Sequence, residues 1–142
     1  MKIDQQQYER VLALATSLTT AVENDNDKDY LIQYSHLEQL CQQARSADTA
    51  HPFLLESLGD FTLLDEEAID IYEEALELAD KHKLPEYRAS LQLAIAERYH
   101  ELGDLEAALS YAGEAQKNLQ YADEQGLREE LAEFMQTLQG AQ

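Results

Sequence analysis

The sequence predicts an all-α fold: antiparallel helix hairpins stacked as a short α-solenoid, finished by a C-terminal capping helix. Three observations carry this reading. Helix breakers are scarce, with two prolines and five glycines in 142 residues, and Ala, Leu, Glu and Gln dominate what remains. Apolar residues recur at three- and four-residue spacing almost from end to end. A 40-residue shift superimposes Ala68 on Ala108, Ile69 on Leu109, Ala75 on Ala115 and Leu55 on Ile95, and self-similarity at such a period marks stacked supersecondary units. No alternating Val/Ile/Thr run bounded by turn residues is present, so no strand is expected. An apolar fraction of 44% against 27% charged places the chain among globular domains, long enough for one core.

The helices follow in order. The first aligns Tyr8, Val11, Leu12, Ala15, Leu18 and Val22 on one stripe, with Asp4 as its N-cap and a break from Asn24 to Asp27. The second carries Tyr30, Tyr34, Leu37, Cys41 and Ala44, with Leu40 alongside, and ends in the polar stretch from Ser46 to Thr49. Pro52 opens a third, where a missing N–H costs nothing, and Leu54, Leu55, Leu58 and Phe61 form its face. The fourth runs from about Asp65 to His82 on Ala68, Ile69, Tyr72, Ala75, Leu76 and Ala79. Acidic residues stand at its start and Lys81, His82 and Lys83 at its end, as the helix dipole favours. Pro85 begins the fifth, striped by Leu91, Ala94, Ile95, Tyr99 and Leu102. Gly103 ends it, and Asp104 caps a sixth built on Leu105, Ala108, Leu109, Ala112, Ala115 and Leu119. A last helix shows Leu127, Leu131, Phe134 and Leu138. Short breaks imply antiparallel neighbours.

The run Leu93-Ala94-Ile95-Ala96-Glu97-Arg98-Tyr99-His100-Glu101-Leu102-Gly103-Asp104-Leu105-Glu106-Ala107-Ala108-Leu109-Ser110-Tyr111-Ala112 resembles a tetratricopeptide repeat. Ala96, Ala108 and Ala115 take the small positions, Tyr99 the large one, and Gly103-Asp104 the turn. The stretch Asp65-Glu66-Glu67-Ala68-Ile69-Asp70-Ile71-Tyr72-Glu73-Glu74-Ala75-Leu76 resembles the second helix of another repeat. The resemblance covers residues 50–120 and is of the lengthened-helix type. It departs from the family pattern at Glu56, where a small residue is usual, and at Gly59, where an aromatic is usual. It implies one domain: a degenerate hairpin or cap over 1–48, two repeats over 50–120 and a capping helix over 122–139. It also implies a concave groove that holds an extended or helical peptide. Carried over by register, the groove positions are Phe53, Ser57 and Asp60 in the earlier repeat and Leu93, Glu97 and His100 in the later one, with Arg98 beside them.

Net charge is −19, which repels phosphate backbones and anionic lipid and steers a basic or amphipathic protein segment inward. Nucleic acid and membrane are therefore disfavoured as partners. The start MKIDQQQYER has no apolar core behind a basic end, so no signal peptide is expected. One cysteine, Cys41, excludes an internal disulfide and suits the cytoplasm. Asp25, Asp27 and Asp29 alternate as calcium ligands do, but Tyr30 and His36 stand where that loop needs Gly and Glu. The histidines have no paired ligand spacing, so no metal or cofactor is expected. Cys41 on an apolar stripe reads as core. No phosphate loop, zinc-protease motif or visible cluster of perturbed titratable groups points to catalysis. Tyr87 and Tyr111 fall off the stripes and are open to exposure; Glu66, Asp70, Glu73, Glu74 and Glu77 form a continuous acidic face, readable as a solvated surface or as a dock for a basic segment.

The expected function is that of a non-enzymatic adaptor or scaffold for another protein. A secretion-type chaperone and a regulatory subunit that tunes an enzyme are the alternatives. The groove lacks the Lys and Arg cluster that would clamp a terminal carboxylate. Monomer and homodimer both stay open, with Phe53, Leu93 and Leu14 as residues of a pairing surface.

Overall fold

The computed structural model describes residues 1–122 and 125–140. The described residues form seven α-helices and no strand. In chain order they are α1 (Gln5–Glu23), α2 (Asp27–Ser46), α3 (Pro52–Phe61), α4 (Asp65–Lys81), α5 (Arg88–Glu101), α6 (Leu105–Asn118) and α7 (Gln125–Gly140). Short 3-10 turns at Pro85–Tyr87 and Leu119–Tyr121 lead out of the Lys83 and Asn118 corners. Pro85 therefore opens a 3-10 turn before α5 instead of α5 itself. The expected start of the last helix at 122 runs into residues 123 and 124, which lie outside the described residues. Each helix packs on the next, and α1 also reaches α3 while α5 reaches α7. No described helix is long and apolar enough to cross a membrane.

The ends are set locally. The Gln7 N–H donates to Asp4 Oδ2 (3.3 Å), the Asp29 N–H to Asn26 Oδ1 (3.1 Å) and the Ala107 N–H to Asp104 Oδ1 (3.1 Å), each satisfying an amide the helix itself leaves unpaired. His51 caps α3 in the same manner, its Nδ1 accepting from the Phe53 N–H at 3.0 Å. The Asp25–Asp29 stretch is thus a turn plus a cap. Gly103 takes φ +81°, as the chain must to leave α5 and enter α6.

Two apolar clusters share the interior. One joins α1 to α5 around Leu18, Leu37, Leu54, Leu55 and Ile95; the other joins α5, α6 and α7 around Leu93, Ala112, Leu131 and Leu138. Because α5 serves both, it is buried on two sides, at Leu91 and Ile95 for one and at Ala89, Leu93 and Ala96 for the other. The single stripe expected for it is incomplete, and Leu102 at its end is exposed. The face of α1 is also corrected. Val11, Leu14, Leu18 and Ala21 are buried, whereas Leu12 and Val22 face solvent, since α1 packs chiefly on α2 and α3. Leu14 and Leu93 are core residues and unavailable for pairing between copies. Cys41 lies in the first cluster, where burial pushes its thiol up to about 12.

Polar contacts tie the hairpins together. Arg45 donates from Nε and Nη2 to the two carboxylate oxygens of Glu74, both at 2.9 Å, joining α2 to α4. Tyr111 donates to Glu73 at 3.0 Å and stacks on Tyr99 with ring centroids 5.6 Å apart. Two members of the acidic face of α4 are therefore structural acceptors. Tyr111 and Tyr87 are partly buried, the latter edge-on to His51.

Candidate functional site

A concavity of about 580 Å³ opens between α3, α5 and α7. Helical spacing puts Phe53, Glu56, Ser57 and Asp60 on one side of α3, which forms one wall. Ser90, Leu93, Ala94, Glu97 and Arg98 of α5 form the facing wall; Leu127 and Glu130 of α7 close it, and Tyr72 of α4 reaches in from behind.

Five of the six groove positions drawn from the sequence line this cavity: Phe53, Ser57, Asp60, Leu93 and Glu97. They are not equivalent. Phe53 is partly exposed and packs on Tyr8, ring centroids 5.1 Å apart. Ser57 turns its hydroxyl back to the Phe53 carbonyl at 2.8 Å. Leu93 is 2% exposed and belongs to the core beneath α7, so it is floor and not a contact surface. His100 lies outside the cavity, edge-on to Phe134 of α7 with centroids 5.7 Å apart. Its ring partner is on α7 and not in the cavity.

The electrostatics are lopsided. Glu56, Asp60, Glu97 and Glu130 face one guanidinium, Arg98. Arg98 is itself engaged, donating to Asp65 Oδ1 and to the Gly59 carbonyl, each at 3.1 Å. Glu56 accepts from the Ser90 hydroxyl at 2.6 Å. Asp60 accepts from the Tyr72 hydroxyl at 2.7 Å. Water reaches Asp60 through the cavity mouth, yet protein crowds it from the sides, and this desolvation raises its carboxyl pKa. Tyr72 is raised as well, first by burial and then by Asp60. The Glu97 carboxyl is pushed up to about 7, by burial first, then by Glu130 and Asp60, with Arg98 opposing. A cluster of perturbed titratable groups therefore exists, although the sequence displays none.

Sequence reasoning missed Glu56, Tyr72, Ser90 and Glu130. The first was readable from its place between Phe53 and Asp60 on one helix face. Glu130 was not, because nothing local shows that α7 packs on α5 and meets α3 across the cavity. Among the described residues no group of three or more His, Cys, Asp or Glu is placed to hold a metal ion. No family model, curated protein or solved structure matches the chain.

Proposed function

We propose that the chain is a protein-interaction module of tetratricopeptide-like hairpins whose α3–α5–α7 cavity receives a cationic segment of a partner protein. One observation carries the reading: Glu97, held at about 7, is wedged beside Glu130 and Asp60 in a cavity with one engaged cation. Like charges gathered in one concavity raise each other's proton affinity, and an entering Lys or Arg relieves that repulsion. A cation favours ionised Glu97, so binding releases a proton.

Affinity for a short arginine-containing peptide is therefore expected to rise from pH 6 to pH 8, and to fall several-fold in Asp60→Asn/Glu97→Gln. Titration calorimetry in two buffers of different ionisation enthalpy reads both the affinity and the released proton. Affinity that is flat across this range, or unchanged in the double variant, sinks the proposal. Leu93→Glu is unsuitable as a groove variant, because it would place a charge in the core.

The same perturbed carboxyls support a second reading, acid–base catalysis. Burial and like charge account for the Glu97 shift, and both are equally properties of a cation trap, so binding is the reading preferred.

A further inference from the structure

A second surface shares no lining residue with the cavity and lies where α1, α2 and the α3–α4 turn meet. Val22 is 60% exposed, Leu31 61%, Leu63 71% and Leu64 63%. Val22, Leu31 and Leu63 line one concavity of about 400 Å³. Leu31, Leu63 and Leu64 line an adjoining one of about 130 Å³, together with Tyr30 and Phe61. The two are continuous through Tyr30, Leu31 and Leu63.

Two features mark this patch as built. The turn is held: the Tyr30 hydroxyl donates to the Phe61 carbonyl, and the hydroxyls of Tyr34 and Thr62 meet at 2.7 Å. The leucines are thus presented on a fixed edge. The turn also forgoes a stabilising device that the next hairpin has. Under the 40-residue shift Leu63 and Leu64 correspond to Gly103 and Asp104. Asp104 caps its helix, whereas Leu64 occupies the N-cap of α4 with no side-chain hydrogen bond. Its backbone, φ −83° and ψ 122°, already suits a capping residue. Two leucines in water replace a glycine and a cap, and large exposed apolar patches mark interaction sites.

The rim decides the occupant. Asp25 and Asp27 border the larger concavity and Glu67 the smaller, and among the described residues neither has a basic lining residue. A second copy brings the same carboxylates and a net charge of −19, so like charge opposes self-pairing. We infer that this edge docks an amphipathic segment of another protein, with an apolar row seated on Leu31, Leu63 and Leu64 and flanking Lys or Arg against Asp25, Asp27 and Glu67. This goes beyond the cavity and needs no part of it.

The test uses a labelled synthetic helix with leucine on one face and lysine on the other, titrated with the full chain at near-physiological salt and read by fluorescence anisotropy. Leu31→Ser/Leu63→Ser is expected to weaken it at least about tenfold, and Leu64→Ser to weaken it while raising Tm, because serine restores the cap. The loss caused by Leu31→Ser/Leu63→Ser is expected to persist in the Asp60→Asn/Glu97→Gln background, where the cavity's pull on lysine is weakened, which separates this edge from the cavity. A helix with glutamate in place of lysine is expected not to bind. The inference is overturned if the parent fails to bind, if Leu31→Ser/Leu63→Ser binds as tightly as the parent, or if the glutamate helix binds equally well. It is also overturned if sedimentation shows a dimer of the parent that Leu31→Ser/Leu63→Ser abolishes, since the edge then belongs to a second copy.

Discussion

The hairpins α3–α4 and α5–α6, set in register by the 40-residue shift, solve one packing problem in opposite ways. In the first, Gly59 on α3 faces Tyr72 on α4; in the second, Tyr99 and Ala112 hold the corresponding positions. A Cβ on Gly59 would stand 2.6 Å from the Tyr72 ring, so the small residue on one helix is set by the large one on the other. Where Tyr99 is the aromatic of the second hairpin on α5, the first hairpin carries its aromatic on the facing helix, as Tyr72. The consequence is chemical as well as steric. On α4 the ring directs its hydroxyl into the cavity and onto Asp60, while Tyr99 on α5 stacks against Tyr111. The two hairpins also differ at the turn, one capped and polar, the other uncapped and apolar.

The largest expected effect breaks the first pairing. Tyr72 is 2% exposed, and Tyr72→Ala is expected to cost about 3–5 kcal/mol in chemical denaturation. Gly59→Ala alone should cost about 1–3 kcal/mol through overpacking. In the Tyr72→Ala background the sign should reverse, with a gain of up to about 1 kcal/mol from helix propensity. A cycle with no such coupling would mean that the two residues are not size-matched partners.

A smaller effect concerns the cavity the hairpins enclose. Between the ordinary carboxylate value of 4.5 and about 7 the fold holds a proton on Glu97 that the unfolded chain has released. This group's contribution is therefore fully present in acid and lost as pH rises through 7. Glu97→Gln should raise stability at pH 8 by about 1 kcal/mol, discounted for water in the open cavity, and leave it unchanged at pH 4. Thermal melts at the two pH values check this, and equal gains at both would place the effect outside titration. The smallest effects sharpen the turn comparison: Asp104→Ala should lose about 1 kcal/mol and Leu64→Ser gain a similar amount. A Leu64→Ser variant that melts no higher than the parent would mean that the turn cannot use a cap.

What the sequence disclosed was local. The extents of the helices and the caps at Asp4 and Asp104 were readable, because apolar period, proline position and capping chemistry act within a few residues. So was the wall of the cavity on α3, since Phe53, Ser57 and Asp60 share one helical face. The rest depended on contacts between elements. Val11 begins two equally apolar stripes on α1, and only the positions of α2 and α3 choose Leu14 over Leu12. Leu93 and His100 were misjudged for a common reason: α7 lies over them. The exposed turn leucines were passed over because hydrophobic residues beside a helix start read as core, and their exposure is a property of the assembled surface.

Inside the α5–α6 hairpin the side-chain amides of Gln92 and Asn118 meet at 2.8 Å, both buried. Sliding one helix past the other by a turn, about 5.4 Å, would strand two amides among alanines and leucines. The second hairpin therefore has one alignment and not a continuum, and the α5 wall of the cavity is fixed with it.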